Sequence, residues 1–201
     1  MNAVHPEPRK VERVVSALRA GEVIAYPTDT VYGLGCDLMN KRAIERLYEI
    51  KRMDRSHHLA FICPDLSAIA RYAIVENHQY RVLRRYLPGP YCFILEATRE
   101  VPRLVQTKRK TIGIRVPDHA VMRAVTEALG SPIISTTAQV KDAERPEIDP
   151  REIDDLFKGL GLVIDTNEPG GFVPTTVVDL TQNPPKLVRH GLGDAQDFEN
   201  L

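Results

Sequence analysis

Cysteines are scarce in this sequence of 201 residues: Cys36, Cys63 and Cys92 are the only three, and they are far apart. No CxxC pair and no Cys/His spacing typical of zinc ligands is present, which argues against a structural metal. An odd number of scattered thiols favours a reducing compartment over a disulfide framework, so we expect a cytoplasmic protein. A chain of this length can bury a sufficient apolar core without disulfides or metals.

Long apolar runs and a net charge are also lacking. No apolar stretch approaches the ~18 residues needed to span a bilayer, and the polar, proline-containing segment 1–8 is unlike a secretory signal. Basic and acidic residues number 27 each, so the formal net charge is zero. This balance argues against a wholly basic nucleic-acid binder, although it leaves room for a local basic cleft. We therefore expect no membrane partner.

Apolar residues alternate between helical and strand periodicity along the chain. Helices are predicted around 11–18, 43–50, 66–72, 78–86, 121–129 and 153–157. Strands are predicted at 23–26, 59–63, 91–97, 111–116, 132–136, 162–165, 175–180 and 186–189, and loops at 29–35, 138–150 and 167–174. This order favours one α/β domain over residues 1–201, and the short strands near its end favour a mixed sheet.

The first candidate for chemistry is the loop from Pro27 to Gly35, which leaves a predicted buried strand. It carries the hydroxyls of Thr28 and Thr30 and the carboxylate of Asp29. Ligands of α/β sheets usually bind at such strand ends. The alternative is a structural turn in which these side chains bond to nearby backbone. Composition does not decide between the two interpretations.

The second candidate is the predicted strand 111–116. Alternation places Thr111, Gly113 and Arg115 on one face and three apolar side chains on the other. Arginine can contact a carboxylate or phosphate bidentately, so the polar face suits an anionic ligand. The alternative is a solvated outer face, but the glycine between the two polar residues favours a binding surface.

Cations cluster after the second predicted helix, at Lys51, Arg52 and Arg55, and are followed by His57 and His58. Such a cluster can neutralise phosphates, or it can merely complement the helix dipole. The adjacent histidines would face opposite ways on a strand, which disfavours a metal site. Weaker candidates follow other predicted strands, namely the hydroxyls of 135–137 and 175–176 and the guanidinium of Arg189.

Motifs of the common hydrolases and nucleotide-binding loops are missing. There is no GxSxG, no HExxH and no Walker-type GxxxxGK[ST]. The residues alone therefore predict an α/β protein with hydroxyl and cationic groups at its strand ends, suited to an anionic ligand.

Five segments resemble the motifs of a known family, in the same order. YPTDTVYGLGCD at 26–37 closely resembles the signature loop of the YrdC/YciO superfamily, whose members include L-threonylcarbamoyladenylate synthases. The later segments are LPGPYCFIL at 87–95, TIGIRVPDH at 111–119, IISTTA at 133–138 and PTTVVDL at 174–180. The resemblance implies a twisted mixed sheet flanked by helices, with a large basic cavity.

In those synthases ATP, L-threonine and bicarbonate give threonylcarbamoyl-AMP and pyrophosphate, for the modification of tRNA. By position, the resemblance implies that threonine contacts Thr30, Arg115 and Thr175. It implies that the nucleotide and phosphate region is lined by Lys51, Thr111, Thr137 and Arg189. Lys51 and Arg115 would be the catalytic residues. Catalysis would consist of positioning, with charge stabilisation by Lys51, Arg189 and Mg²⁺.

Two motifs depart from the synthases and resemble the YciO branch. A Lys-x-Arg motif reads KRM at 51–53, and a Ser-x-Asn motif reads TAQ at 137–139. The second cation is therefore replaced by Met53, although Arg52 or Arg55 could substitute for it in part. Losing one charge-assisted contact costs ~1.5–3 kcal/mol, or about one to two decades in affinity. We therefore expect weak or altered synthase activity.

Two other functions stay open. Family members are associated with double-stranded RNA binding, and segments 51–58 and 108–110 are locally basic. The protein could therefore bind RNA or a ribonucleotide without turnover, in which case binding should weaken steeply with salt. The cavity could instead serve an unrelated anionic metabolite.

Overall fold

The computed structural model describes residues 1–54, 59–105, 108–168 and 170–199. The helices of this part of the chain are α1 (Pro8–Arg19), α2 (Lys41–Lys51), α3 (Leu66–Tyr72), α4 (Asn77–Tyr86), α5 (Ala120–Leu129), α6 (Pro150–Leu156) and α7 (Gln196–Glu199). Its strands are β1 (Ile24–Tyr26), β2 (Gly33–Asp37), β3 (Ala60–Ile62), β4 (Ala73–Ile74), β5 (Tyr91–Ala97), β6 (Thr111–Arg115), β7 (Ile133–Thr137), β8 (Leu162–Val163), β9 (Thr176–Asp179) and β10 (Lys186–Arg189).

The strands form one mixed sheet. Its order is β10-β9-β5-β6-β3-β7-β2-β1-β8, and β4 pairs with β5 beside this path. The pairs β1–β8, β3–β6 and β5–β9 are parallel, whereas the other pairs are antiparallel. The predicted fold class, a mixed α/β sheet flanked by helices, is therefore confirmed. The large basic cavity stays a prediction.

The two faces of the sheet are covered to different extents. On the first face, side chains of α2, α3, α4 and α6 pack with the strands in the main apolar core. On the second face, α1 and α5 pack against β1, β3 and β7 in a smaller core. No described residue of β5, β6, β9 or β10 belongs to this smaller core. The second face of these four strands, with the ends of β2 and β7, carries most of the predicted site residues.

α1 packs on the sheet through the apolar residues whose spacing predicted the helix. Val11, Val14, Val15 and Leu18 share one side of the helix, and all four are buried in the smaller core. Burying one such side chain stabilises the fold by about 1.5–3 kcal/mol. The apolar stripe therefore attaches α1 to the second face of the sheet.

The predicted loop 29–35 is wrong in its last part, because Gly33 and Gly35 belong to β2. A Cβ at Gly33 would lie 2.8 Å from the ring of Tyr26, and one at Gly35 would lie 2.6 Å from the carbonyl oxygen of Ile134. These glycines therefore allow two strands and a tyrosine ring to approach closely. They were interpreted as loop residues because sequence alone does not reveal that contact.

Most other predicted elements are confirmed. α3, β5 and β10 begin and end where they were predicted, and Gly130 ends α5 in the left-handed region with a φ of 78°. β4 and α7 were missed because two to four residues are too short to show a period. Among the described residues, no helix has the length and apolarity that crossing a membrane requires. The three cysteines are buried free thiols.

Candidate functional site

β6 has the alternation that its sequence predicted. Ile112 and Ile114 lie in the main core, so Gly113 and Arg115 occupy the opposite face of the strand. A Cβ at Gly113 would lie 3.0 Å from Sγ of Cys92 on the neighbouring strand β5. The gap beside Arg115 is therefore lined by the sulfur of Cys92.

Arg115 is held by the loop that follows β1. Its Nη2 donates to Oδ1 of Asp29 at 3.0 Å and to Oγ1 of Thr30 at 3.1 Å. The side chains of Arg115 and Asp29 are only 10% and 11% exposed, so solvent screens this ion pair weakly. Oδ2 of Asp29 accepts the backbone N–H of Asp118 at 3.1 Å. Asp29 thus fixes the guanidinium at one end of the uncovered face, by which we mean the part of the second face that α1 and α5 do not cover.

Thr30 is buried and fixed from two sides. Oγ1 of Thr28 accepts the N–H of Thr30 at 3.1 Å and donates to the carbonyl oxygen of Val31 at 2.7 Å. On the other side, a Cβ at Gly171 would lie 2.1 Å from the carbonyl oxygen of Thr30. The structural turn is therefore confirmed, and it presents the hydroxyl of Thr30 to Arg115. Ligand binding by this loop stays a prediction.

Thr175 and Arg189 form the second polar pair. Nε and Nη2 of Arg189 donate to the carbonyl oxygen of Thr175 at 3.1 and 2.9 Å, and Nη2 also donates to Oγ1 of Thr175 at 2.9 Å. Gly191 permits this contact, since a Cβ there would lie 2.3 Å from the carbonyl carbon of Thr175. Arg189 is an exposed residue whose bonds to Thr175 are to neutral oxygens, so its guanidinium can receive an anion.

The strand register brings the two arginines to the same region. Arg115, Cys92, Val177 and Arg189 lie in one cross-strand row over β6, β5, β9 and β10. At about 4.8 Å per strand, the two arginine Cα atoms are roughly 14 Å apart, and the charges of both arginines act on the thiol of Cys92 between them. Burial lowers the pKa of Arg189, and the charge of Arg115 lowers it further. Two mutually repelling cations favour an anion between them.

Cys92 lies beneath this pair of cations. Burial raises the pKa of its thiol, while the charges of Arg115 and Arg189 act in the opposite direction. Burial is the larger influence, so Cys92 is a neutral thiol that contributes a small apolar floor.

Lys51 belongs to a second group, at the C-terminal end of α2. Its Nζ donates to the carbonyl oxygen of Gln139 and lies 5.6 Å from the centre of the Phe157 ring. Burial lowers the pKa of Lys51 to about 8. The side-chain amide of Gln139 donates to the carbonyl oxygen of Ala143 at 2.7 Å, within the loop after β7.

Thr111 and Thr137 lie at the end of the uncovered face away from Arg115. Ala60 of β3 pairs with Gly113 on one side and with Ser135 on the other. Thr111 lies two residues before Gly113 and Thr137 lies two residues after Ser135, and both steps lead in the same direction along the sheet. The two threonines are therefore level with each other and separated by two strand spacings, or about 10 Å. Gln139, whose carbonyl oxygen Lys51 contacts, lies two residues after Thr137, so Thr137 belongs with Lys51.

Arg52 and Met53 have different surroundings from Lys51. Arg52 has a left-handed φ of 52° and ends α2. With Glu49 and Asp54, both residues line a cavity of about 620 Å³. Arg52 and Met53 therefore share a surface cavity with acidic residues. Arg55, His57 and His58, also named in the prediction, lie outside the described residues.

The predicted site residues thus form two groups. The first, the Arg115 group, consists of Thr30, Arg115, Thr175 and Arg189. The second, the Lys51 group, consists of Lys51 and Thr137. Arg189, which was expected in the nucleotide region, therefore lies with the expected threonine contacts and away from Lys51. The sequence named Asp29 as a polar group of the candidate loop without giving it a partner, and it did not indicate Cys92, although both lie inside the motifs that carried the resemblance. Within the described ranges, no group of three or more His, Cys, Asp or Glu side chains could hold a metal ion.

Comparison with known proteins gives relatives along almost the whole chain. The family model for Sua5, YciO and YrdC proteins, described as "Telomere recombination", matches residues 16–191. The YciO protein of Escherichia coli K12 is 43% identical over 199 residues, which cover 96% of this chain and 95% of YciO. The crystal structure of E. coli YciO matches with a TM-score of 0.93 over 98% of this chain and 97% of its own.

Two further relatives are named for an activity or for a bound ligand. Threonylcarbamoyl-AMP synthase of Vibrio vulnificus YJ016 is 36% identical over 133 residues, covering 65% of this chain and 72% of the synthase. The crystal structure of Pyrococcus abyssi Sua5 complexed with L-threonine matches at 27% identity with a TM-score of 0.85. The match covers 95% of this chain but only 57% of Sua5.

Proposed function

Because this chain belongs to the Sua5/YciO/YrdC family, we propose that it binds L-threonine and ATP and forms threonylcarbamoyl-AMP weakly, with bicarbonate as the third substrate. The observation that carries the proposal is the buried contact of Arg115 with Thr30, which lies in one cross-strand region with Thr175 and Arg189. The proposal treats residues 1–201 as a single cytoplasmic domain.

In the proposed reaction, the threonine amine forms a bond to the carbon of bicarbonate and water leaves. The resulting carbamate oxygen then attacks the α-phosphorus of ATP and displaces pyrophosphate. Arg115 binds the threonine carboxylate, since a guanidinium and a carboxylate match in geometry and charge. Lys51 and Arg189 stabilise charge on the phosphates, so the protein contributes orientation and electrostatics.

ATP enters this proposal as its Mg²⁺ complex. Mg²⁺ is commonly bound through substrate phosphates with one or two carboxylates, so it does not need a cage of protein ligands. The described residues offer no such cage, as they contain no group of three candidate ligands.

The proposed activity is weak because Lys51 is engaged and one cation is missing. Lys51 must exchange the Gln139 carbonyl oxygen for a phosphate oxygen, and Met53 stands where the synthases carry arginine. An absent charge-assisted bond lowers affinity by about one to two decades.

Pyrophosphate release tests the proposal. The protein is incubated with ATP, Mg²⁺ and bicarbonate, with and without L-threonine, beside an Arg115→Ala variant. We expect threonine-dependent release in the wild type that falls at least about tenfold in the variant. Equal release with and without threonine would reject the proposal.

RNA binding is the second candidate. Lys108, Arg109 and Lys110 are exposed and adjacent, and phosphate-driven binding to such a group weakens as salt rises. A binding titration with double-stranded RNA at low and high salt decides the matter. Loss of affinity in a variant with all three residues changed to glutamine supports RNA binding, and no affinity at low salt excludes it.

A further inference from the structure

His119 lies beside the Arg115 group without a role in the proposed reaction. It follows Asp118, whose backbone N–H donates to Asp29. His119 occupies the N-cap position of α5, but its side chain makes no capping hydrogen bond. Helix capping therefore does not explain the imidazole at this position.

Two buried polar atoms near Asp29 lack a hydrogen-bond partner. Among the described residues, Nε of Arg115 and Nδ1 of His119 are the buried side-chain nitrogen or oxygen atoms without a hydrogen-bond partner. An unpaired buried polar group costs about 1–3 kcal/mol. Both residues adjoin Asp29, one through its ion pair and the other through the neighbouring peptide. A ligand that reaches both atoms would satisfy them at once.

The two atoms require opposite partners. Nε of arginine is only a donor, so it needs an acceptor such as a carboxylate oxygen. Nδ1 of a neutral histidine accepts a hydrogen bond when Nε2 carries the proton, so it needs a donor such as an ammonium group. An α-amino acid carries a carboxylate and an ammonium group on one carbon atom, and it supplies both.

The charge state of His119 agrees with the acceptor role. Burial lowers the pKa of the imidazole, whereas the carboxylates of Asp29, Glu168 and Asp118 act to raise it. Burial is the larger influence, so the ring is mainly neutral at pH 7. The three carboxylates would stabilise the imidazolium once a proton arrives.

We propose that His119 binds the ammonium group of the amino acid whose carboxylate lies on Arg115, and that it accepts one proton from that group. This inference rests on the proposed function and adds a base to it. The threonine ammonium gives one proton to Nδ1, and the free amine forms the N–C bond to bicarbonate. Water is released, and the products are the carbamate and imidazolium.

The binding test compares L-threonine with 3-hydroxybutyrate, which lacks the amino group, by calorimetry. The wild type and a His119→Ala variant are measured. We expect the wild type to prefer L-threonine by about tenfold or more, and the variant to lose most of that preference while still binding 3-hydroxybutyrate. An unchanged preference in His119→Ala would overturn the inference and leave the proposed function intact. No L-threonine binding by the wild type would overturn both.

A His119→Asn variant tests the proton transfer and guards against misfolding of His119→Ala. Its side-chain oxygen can accept a hydrogen bond near the position of Nδ1 but cannot take a proton. We expect threonine affinity within about threefold of the wild type, with turnover at least about tenfold lower. The wild-type rate should fall as the pH falls through the lowered pKa of His119. The variant keeps the carboxylates of Asp29, Asp118 and Glu168, which also titrate at low pH. Turnover at the wild-type rate, with the same fall in rate at low pH, would therefore contradict the proposal.

Discussion

Nη2 of Arg189 contacts both oxygens of Thr175, donating to the carbonyl oxygen and to Oγ1 at 2.9 Å each. The two residues are 14 positions apart in sequence, and Gly191 lets the chain return closely enough for the contact. The hydroxyl of Thr175 thus orients the guanidinium that we assign to anion binding.

Replacing Thr175 by valine should uncouple this pair. The Thr175→Val variant keeps the shape but loses the hydroxyl, so the free energy of unfolding should fall by about 1 kcal/mol and L-threonine affinity should fall several-fold. Chemical denaturation and calorimetry measure the two quantities. Thr175→Ser keeps the hydroxyl and is the matched control; if both variants behave alike, the hydroxyl does not orient Arg189.

The ion pair of Asp29 with Arg115 should contribute far more to stability than a surface pair. Asp29→Ala leaves a buried guanidinium without its carboxylate, and we expect a loss of about 3–5 kcal/mol. Asp118 pairs with Arg123 at 3.4 Å, and its side chain is 68% exposed. Asp118→Ala should therefore cost at most about 1 kcal/mol. Similar urea midpoints for the two variants would contradict the assigned burial.

ATP affinity should fall at alkaline pH through Lys51. Burial lowers its pKa to about 8, so the protonated form that attracts phosphate is present below this pH and is lost above it. Arginine stays protonated throughout, so Lys51→Arg should remove the decline between about pH 8 and pH 9.5. Calorimetric titrations with ATP across this range measure it. An equal decline in the variant would assign the titration to another group.

Restoring a cation at Met53 should strengthen nucleotide binding. Met53→Arg adds a guanidinium two residues after Lys51, and we expect about tenfold tighter ATP binding. Met39 is 62% exposed and lies outside both groups, so Met39→Arg is the matched control for added charge. Equal gains in both variants would attribute the effect to net charge alone.

The sequence predicted most helices and strands and the two faces of β6, because the period of side chains along an element is local information. It did not reach contacts across long separations. Lys51 meets the carbonyl of Gln139 over 88 positions, and Arg115 meets Asp29 over 86. Gly33 and Gly35 were interpreted as loop residues because the Tyr26 ring that requires them is visible only in three dimensions. Orphaned atoms such as Nδ1 of His119 have no sequence signal at all.

In the proposed function, the Arg115 and Lys51 groups bind the substrates of one adenylate-forming reaction. The most direct measurement is mass spectrometry of products formed from ATP, Mg²⁺, L-threonine and ¹³C-bicarbonate. We predict threonylcarbamoyl-AMP carrying one ¹³C atom, at least about tenfold reduced by Arg115→Lys, which keeps the charge but loses the planar fork. Absence of the labelled adenylate from a folded wild-type protein that binds both ATP and L-threonine would contradict the account.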